Sequence, residues 1–218
     1  MPETPRRPVV VGFDLDMTLI DSRPGIKVTY DALAAETGVF VDSALAVSRL
    51  GPPLEHELAH WFPAPKVPAV ADRYRALYVE HAIAPTPALP GAHAALAAVR
   101  ERAGRSLVVT AKHEGNAKLH LAHLGLAPDA LHGGLWAEAK ATALREHRAG
   151  VYVGDHTADV RGAHAAGALA VAVATGPCPP QELRAAGADV VLDDLTAFAG
   201  WLAGYEPDDP GEPDAATA

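Results

Sequence analysis

Residues 8–16, PVVVGFDLD, form a continuous apolar run that ends on two aspartates, with no polar residue alternating through it. A strand that shows apolar side chains on both faces must be covered on both, as in a parallel sheet flanked by helices. Residues 106–110 (SLVVT), 151–155 (VYVGD) and 169–173 (LAVAV) read alike, and 189–192 (DVVL) is a weaker fifth. Ala/Leu-rich stretches at helical spacing lie between them, at 92–103, 115–124, 137–148, 157–166, 181–186 and 195–202. This alternation of strand and helix argues for an α/β layered core with right-handed crossovers.

Residues 22–87 break the rhythm. They are helical at 26–37, 43–49, 54–61 and 70–83, with no convincing strand, and read as a separate helical insert. Residues 84–91, APTPALPG, form a stiff linker back to the core. With 218 residues, 49% of them hydrophobic and 21% charged, the chain can bury one sizeable core and a smaller appendage.

No apolar run approaches the roughly 18 residues that span a bilayer, so no membrane partner is expected. The opening MPETPRRP is polar and broken by proline, unlike a signal peptide, and a cytoplasmic location is the expectation. The single cysteine, Cys178 in GPCPP, excludes an intrachain disulfide and a thiolate metal cluster and reads as an incidental thiol. The net charge of −9 includes Glu206, Asp208, Asp209, Glu212 and Asp214 in a proline-punctuated tail at 203–218, which is expected to be disordered. Neither tail nor body resembles a nucleic-acid surface, and the oligomeric state is not legible.

In open parallel sheets ligands bind outside the carboxyl ends of the strands, so the polar residues that end each strand are informative. The first strand ends in DLDMT (14–18), another in Thr110, and a third in Gly154 and Asp155, with Asp159 four residues on. Lys140 lies on the helical stretch between the latter two. Asp14 and Asp16 are two apart, which in an extended segment turns both side chains the same way. Carboxylates gathered on one rim repel one another, and a hard divalent cation relieves them. Mg2+ suits such a set because it takes few carboxylates, keeps several waters and accepts a substrate phosphate. Lys140 and the Thr110 hydroxyl would meet the remaining charge of that phosphate.

These four ordered elements, DLDMT, Thr110, Lys140 and GDHTAD (154–159), resemble the motifs of haloacid dehalogenase (HAD)-like phosphatases. LDMTLIDS at 15–22, the insert after it, the re-entry at 89–91 and GDHTADVRGAHAAGA are closest to the phosphoglycolate-phosphatase-like branch with a helical cap. The resemblance implies a Rossmann-like three-layer core with a parallel sheet (1–21 and 88–202) and a small helical cap inserted after the first strand (22–87). It implies a Mg2+-dependent phosphatase acting on a small phosphorylated metabolite, phosphoglycolate-like or a sugar phosphate, through an aspartyl-phosphate. Asp14 would be the nucleophile and Asp16 the acid and then the base. Asp14, Asp16 through its backbone carbonyl, Asp155 and Asp159 would serve the metal, and Thr110 and Lys140 would bind the transferring phosphoryl group. Thr18 would orient the loop, and with Arg49 and Lys112 it is a candidate on the substrate side. Two departures stand out: Ala141 follows Lys140 where the family often has proline, which leaves Lys112 and Lys118 as local rivals, and His156 replaces a small residue.

Other readings compete. A phosphomutase would return the phosphoryl group from Asp14 to a sugar, and a phospho-accepting signalling module would hold it, although Asp16 beside the nucleophile favours hydrolysis. His56-Glu57-Leu-Ala-His60 satisfies H-E-x-x-H, which as a zinc site would use Glu57 as base and otherwise is a solvated helix face. His113, His120 and His123 read as helix-surface residues lacking a converging third ligand. RLGPP at 49–53 reads either as a substrate-reading loop led by Arg49 or as a helix C-cap at Gly51.

Overall fold

The structure is a computed structural model that describes residues 8–207. The first strand, β1 (Val10–Phe13), is followed by α1 (Arg23–Thr37), α2 (Ser43–Ser48), α3 (Leu54–Leu58) and α4 (Val67–His81). From there α5 (Ala92–Glu101), β2 (Arg105–Val109), α6 (Glu114–Leu124), β3 (Ala130–His132), α7 (Lys140–Glu146) and β4 (Val151–Gly154) alternate. The order ends with α8 (Thr157–Ala166), β5 (Leu169–Val173), α9 (Pro180–Ala185), β6 (Val190–Leu192) and α10 (Phe198–Gly204). The strands form one six-stranded sheet in the order β3-β2-β1-β4-β5-β6, every pair parallel. This is the α/β, Rossmann-like three-layer core.

The unbroken apolar strands follow from that layering. Val11, Phe13, Val108, Val153 and Val171 face α5 and α10, where they meet Leu96, Val99, Phe198 and Leu202. Leu107, Val109, Tyr152 and Ala170 face the other way onto Ala143 and Leu144 of α7 and Val160 and Ala163 of α8. Chain order reverses direction at β1, between β2 and β4, and the carboxyl ends of β1 and β4 open the crevice where such sheets bind ligands.

The helices between β1 and α5 bury a cluster of their own, including Tyr30, Leu33, Leu58, Ala71, Tyr74 and Leu77. Where the chain leaves the sheet and returns to it, the two segments pair: Asp21 N–H donates to Pro87 O and Leu89 N–H to Leu19 O, both at 2.9 Å.

Several boundaries differ from the sequence reading. β3 was not expected there, since ALH at 130–132 is too short to carry a periodic signal and is fixed only by its pairing with β2. The stretch 54–61 is helical only as far as Leu58. The stretch 137–148 divides into a single tight turn at Ala137–Ala139 and α7. The first residues of the tail expected from 203 are ordered. Ala203 and Gly204 finish α10, Tyr205 stacks on Trp201 at 5.2 Å, and Arg102 donates to the carbonyls of Leu202 and Tyr205. Residues 208–218 of that tail lie outside the described residues. No helix among the described residues is long and apolar enough to cross a membrane.

Candidate active site

β1 stops at Phe13, so Asp14 and Asp16 stand in the loop beyond it and not in an extended strand. Asp14 N–H still donates to Val153 O of β4 at 2.8 Å, which fixes the nearer aspartate over the β1–β4 junction. The loop then turns tightly: Leu15 O accepts from Leu19 and Ile20, and Met17 adopts a left-handed φ of 58°. The expectation that both side chains share a direction fails for this reason. Asp14 faces Lys140 at 3.2 Å, whereas Asp16 pairs with Lys112 at 3.0 Å.

Ligand oxygens of Asp14, Asp155 and Asp159 all lie within 4.8 Å of one another, and all three residues are buried. The Asp16 carboxylate is not in that cluster. Burial pushes the Asp14 carboxyl up to about 7 against the pull of Lys140, with Asp159 and Asp16 adding to the rise. Burial, with Asp159 and Asp14 beside it, also holds the Asp155 carboxyl well above the usual carboxylate range. A donor set of hard carboxylate oxygens, crowded and with one lysine among them, fits a small divalent cation.

Thr18 is fully buried and donates to Asp155 Oδ1 at 2.8 Å, so it lies behind the cluster and does not border the cleft in which a substrate would sit. Gly176, in the loop after β5, passes so close to the other side of Asp155 that an added Cβ would lie 1.8 Å from Oδ2. Asp159 is held twice, by Lys140 Nζ at 2.7 Å and by the His156 N–H at 3.1 Å. That second bond belongs to a capping box at the start of α8 in which the His156 ring accepts from Ala158 N–H.

Lys140 opens α7 and has no exposed side-chain surface. Burial opposes its charge, but Asp14 and Asp159 overcome the cost and hold it protonated. Its ammonium reaches Asp14, Asp159 and the Tyr152 hydroxyl, the last at 2.8 Å, and it does not border the cleft. Its three donors meet three protein oxygens, so in this structure it braces Asp14 and Asp159 against the Tyr152 hydroxyl. Tyr152 in turn donates to Val109 O at 2.7 Å. Its ring has room because Gly12 is its partner across the β1–β4 ladder; a Cβ there would stand 2.8 Å from the ring.

Thr110 directly follows β2, is buried, and borders the cleft, its hydroxyl accepting the Lys112 N–H at 3.2 Å. Lys112 also borders it. Beyond Asp16, its ammonium donates to the hydroxyl of Tyr78 on α4 at 2.9 Å, and Tyr78 bonds His120 Nε2 on α6 at 2.8 Å. His120, expected on a helix surface, is fully buried, and burial lowers its imidazole to about 4. Tyr78, His120 and Tyr152 had no sequence signal, because only tertiary packing brings them to the lysines.

Arg49 reaches the cleft from the α2–α3 connection and is gripped by Glu57 through two nitrogens, one at 3.1 Å. Glu57 also accepts the Trp61 indole N–H at 3.0 Å. The glutamate of H-E-x-x-H is thereby engaged, His60 lies beyond the end of α3, both histidines are exposed, and the described residues gather no group of three metal ligands there. Arg49 itself is the C-cap of α2, while Gly51 sits against His156, 2.9 Å from where its Cβ would be. The cleft between these elements and the sheet encloses about 970 Å³ including its open mouth.

Residues 11–164 match the family described as haloacid dehalogenase-like hydrolase. The phosphoglycolate phosphatase of Rhodospirillum rubrum is 31% identical over 225 residues, covering 92% of this chain and 93% of that one. A haloacid dehalogenase-like family hydrolase from Streptococcus pneumoniae superposes with a TM-score of 0.78 at 22% identity, over 88% of this chain and 97% of its own. CbbY from Rhodobacter sphaeroides, solved in complex with phosphate, superposes with a TM-score of 0.69 at 19% identity, over 85% and 94% of the two chains. With its sheet order, its buried aspartates and these relatives, the chain belongs to the haloacid dehalogenase-like hydrolase family, on the phosphoglycolate-phosphatase-like branch.

Proposed function

We propose that this chain is a Mg2+-dependent phosphatase that hydrolyses a small phosphorylated metabolite, phosphoglycolate-like or a sugar phosphate, through an aspartyl-phosphate on Asp14. The observation that carries the proposal is the convergence of Asp14, Asp155 and Asp159 within 4.8 Å at the β1–β4 crevice, with Asp16 and Thr110 on the cleft beside them. Asp14, the Asp16 carbonyl and Asp155 would hold Mg2+, with Asp159 in support because both of its oxygens are already engaged. When bound, the ion supplies positive charge that lets the crowded carboxylates ionise together and offsets charge on a phosphoryl group.

In this reading an Asp14 oxygen forms a bond to phosphorus as the ester oxygen leaves, and Asp16 gives that oxygen its proton. Asp16, now a carboxylate beside Lys112, takes a proton from the water that attacks the aspartyl-phosphate, and phosphate departs with Asp14 restored. The Asp14 carboxylate meets Leu15 N–H and Lys140 through Oδ1, so among the described residues its second oxygen has no hydrogen-bond partner to give up on attack. Lys140 fixes Asp14 and Asp159 from below, and the Thr110 hydroxyl is placed for a phosphoryl oxygen. Residues 22–87 act as a cap over a core of 1–21 and 88–202, closing the cleft to bulk water.

The test is phosphate release from an aryl phosphate with Mg2+ or with EDTA. Turnover that needs Mg2+ and falls at least about 1,000-fold in Asp14→Asn supports the reading, on the scale typical of losing a nucleophile. Metal-independent turnover, or an active Asp14→Asn, refutes it. Interconversion of a sugar phosphate without phosphate release would replace it by the mutase.

A further inference from the structure

The Lys112 ammonium has two partners among the described residues, Asp16 Oδ1 at 3.0 Å and the Tyr78 hydroxyl at 2.9 Å. Asp16 and Lys112 stand in the loops that follow β1 and β2, whereas Tyr78 lies on α4, in the helical insert. Tyr78 is buried, and its ring centre is 4.5 Å from Nζ, so the phenol meets the ammonium with its face as well as its hydroxyl. An ammonium only donates, so the Tyr78 oxygen accepts from Lys112 and its own proton goes to His120 Nε2 at 2.8 Å. Burial keeps this imidazole neutral, and a neutral imidazole that accepts at Nε2 carries its proton on Nδ1. His120 Nδ1 is buried with no hydrogen-bond partner among the described residues. A buried N–H left unpaired costs about 1–3 kcal/mol, so His120 holds an unfavourable tautomer whose effect is to fix the direction of the Tyr78 hydroxyl.

We infer that Tyr78 is a positioning residue for the acid step: it keeps the Lys112 ammonium beside Asp16 while Asp16 is neutral, with His120 orienting its hydroxyl. The inference rests on the phosphatase reading and adds to it a contribution of the insert to the chemistry. When Asp16 carries the proton destined for the leaving oxygen, Lys112 has lost its counter-charge, and of its two protein partners the Tyr78 hydroxyl is the one that still holds it. As the proton passes to the ester oxygen, Asp16 becomes a carboxylate, and an ammonium already in place favours the charge that forms. An interaction that strengthens as the transition state is reached accelerates the step, whereas one that binds both states equally does not. Tyr78 is on α4 and its partners Lys112 and His120 are on the sheet side, so Asp16 is braced in this way when the insert is seated on the core.

The experiment measures kcat/KM with Mg2+ for nitrophenyl, phenyl and methoxyphenyl phosphates, whose phenols leave with decreasing ease, in the wild type, Tyr78→Phe, His120→Leu and His120→Gln. The poorer the leaving group, the more its departure depends on the acid that protonates it. Tyr78→Phe keeps the ring against Lys112 and is expected to lower the methoxyphenyl value by about 10-fold, the scale of one hydrogen bond, and the nitrophenyl value by less than about 3-fold. His120→Leu should move the ratio of the two in the same direction. His120→Gln, whose amide oxygen can accept from Tyr78, should restore it, a pattern that a merely structural contact would not give. Equal losses for all three esters, or a ratio unmoved in Tyr78→Phe or in His120→Leu, would overturn the inference while turnover left the phosphatase reading standing. Absence of turnover of every ester by the wild type would overturn both.

Discussion

Of three buried carboxylates, Asp14, Asp155 and Asp159, the first and last pair with one buried lysine, Lys140, and the lysine is in turn steadied by a tyrosine. Removing Lys140 as Lys140→Met would leave those charges uncompensated, and a stability loss of about 3–5 kcal/mol is expected in urea unfolding without metal. Tyr152→Phe keeps the ring and removes two hydrogen bonds, so a loss of about 1–3 kcal/mol is expected by the same measurement. His120 gives a pH signature. Its imidazole titrates near 4 when folded and near 6.5 when unfolded, so the unfolded chain takes up the proton first as pH falls. The stability it supports is complete above about pH 6.5 and is lost on acidification towards pH 4, on the order of 2 kcal/mol. Urea midpoints across that window should slope less in His120→Asn; an unchanged slope would assign the effect elsewhere. At this scale, Asp14, Thr110 and Asp155 were legible because each directly follows a strand whose end defines the crevice, and Asp16 because it lies two residues past Asp14. Tyr152, Tyr78 and His120 were not, because their partners lie 12 to 43 residues away in sequence and are chosen by packing.

Elements meet at two points that carry the site. The β1–β4 ladder sets Gly12 opposite Tyr152, and Gly12→Ala would place a methyl 2.6 Å from Leu144 and 2.8 Å from the tyrosine ring. Overpacking of that kind costs about 1–3 kcal/mol, and the displaced hydroxyl should lower kcat as well. The second point is Tyr78, where α4 and α6 join the loop after β2. Its hydroxyl accepts from Lys112, which leaves its own proton for His120 Nε2, so the chain of bonds runs from Asp16 to the helical insert. Tyr78→Phe should therefore lower kcat by about 10-fold with a smaller change in KM, the scale of one lost hydrogen bond that orients an acid–base group. An unchanged kcat would show that the contact only packs the elements together. The strands and most helices were legible from apolar runs and Ala/Leu spacing, whereas β3, three residues long, was not. The division of 137–148 was hidden too, since a tight turn and a helix share the same apolar spacing, and the break is what presents Lys140 at the start of α7.

As a whole, the molecule sets a parallel sheet with its carboxyl ends uppermost beneath a separately packed group of helices, and the cleft between them borders Asp14, Asp16 and Asp155 on one side and Tyr30, Arg49 and Tyr74 on the other. If Mg2+ binds the folded aspartate cluster, saturating Mg2+ should raise the melting temperature, by the equivalent of about 2.7 kcal/mol at 100 times its dissociation constant. Asp155→Asn should abolish most of that rise. The central claim, that phosphoryl transfer passes through Asp14, is tested most directly by quenching the enzyme in acid during turnover with Mg2+ and mapping phosphate on the chain by mass spectrometry. The prediction is a hydroxylamine-labile phosphate on Asp14, absent in Asp14→Asn. Steady turnover with Asp14 never modified and no loss of rate in Asp14→Asn would contradict the account.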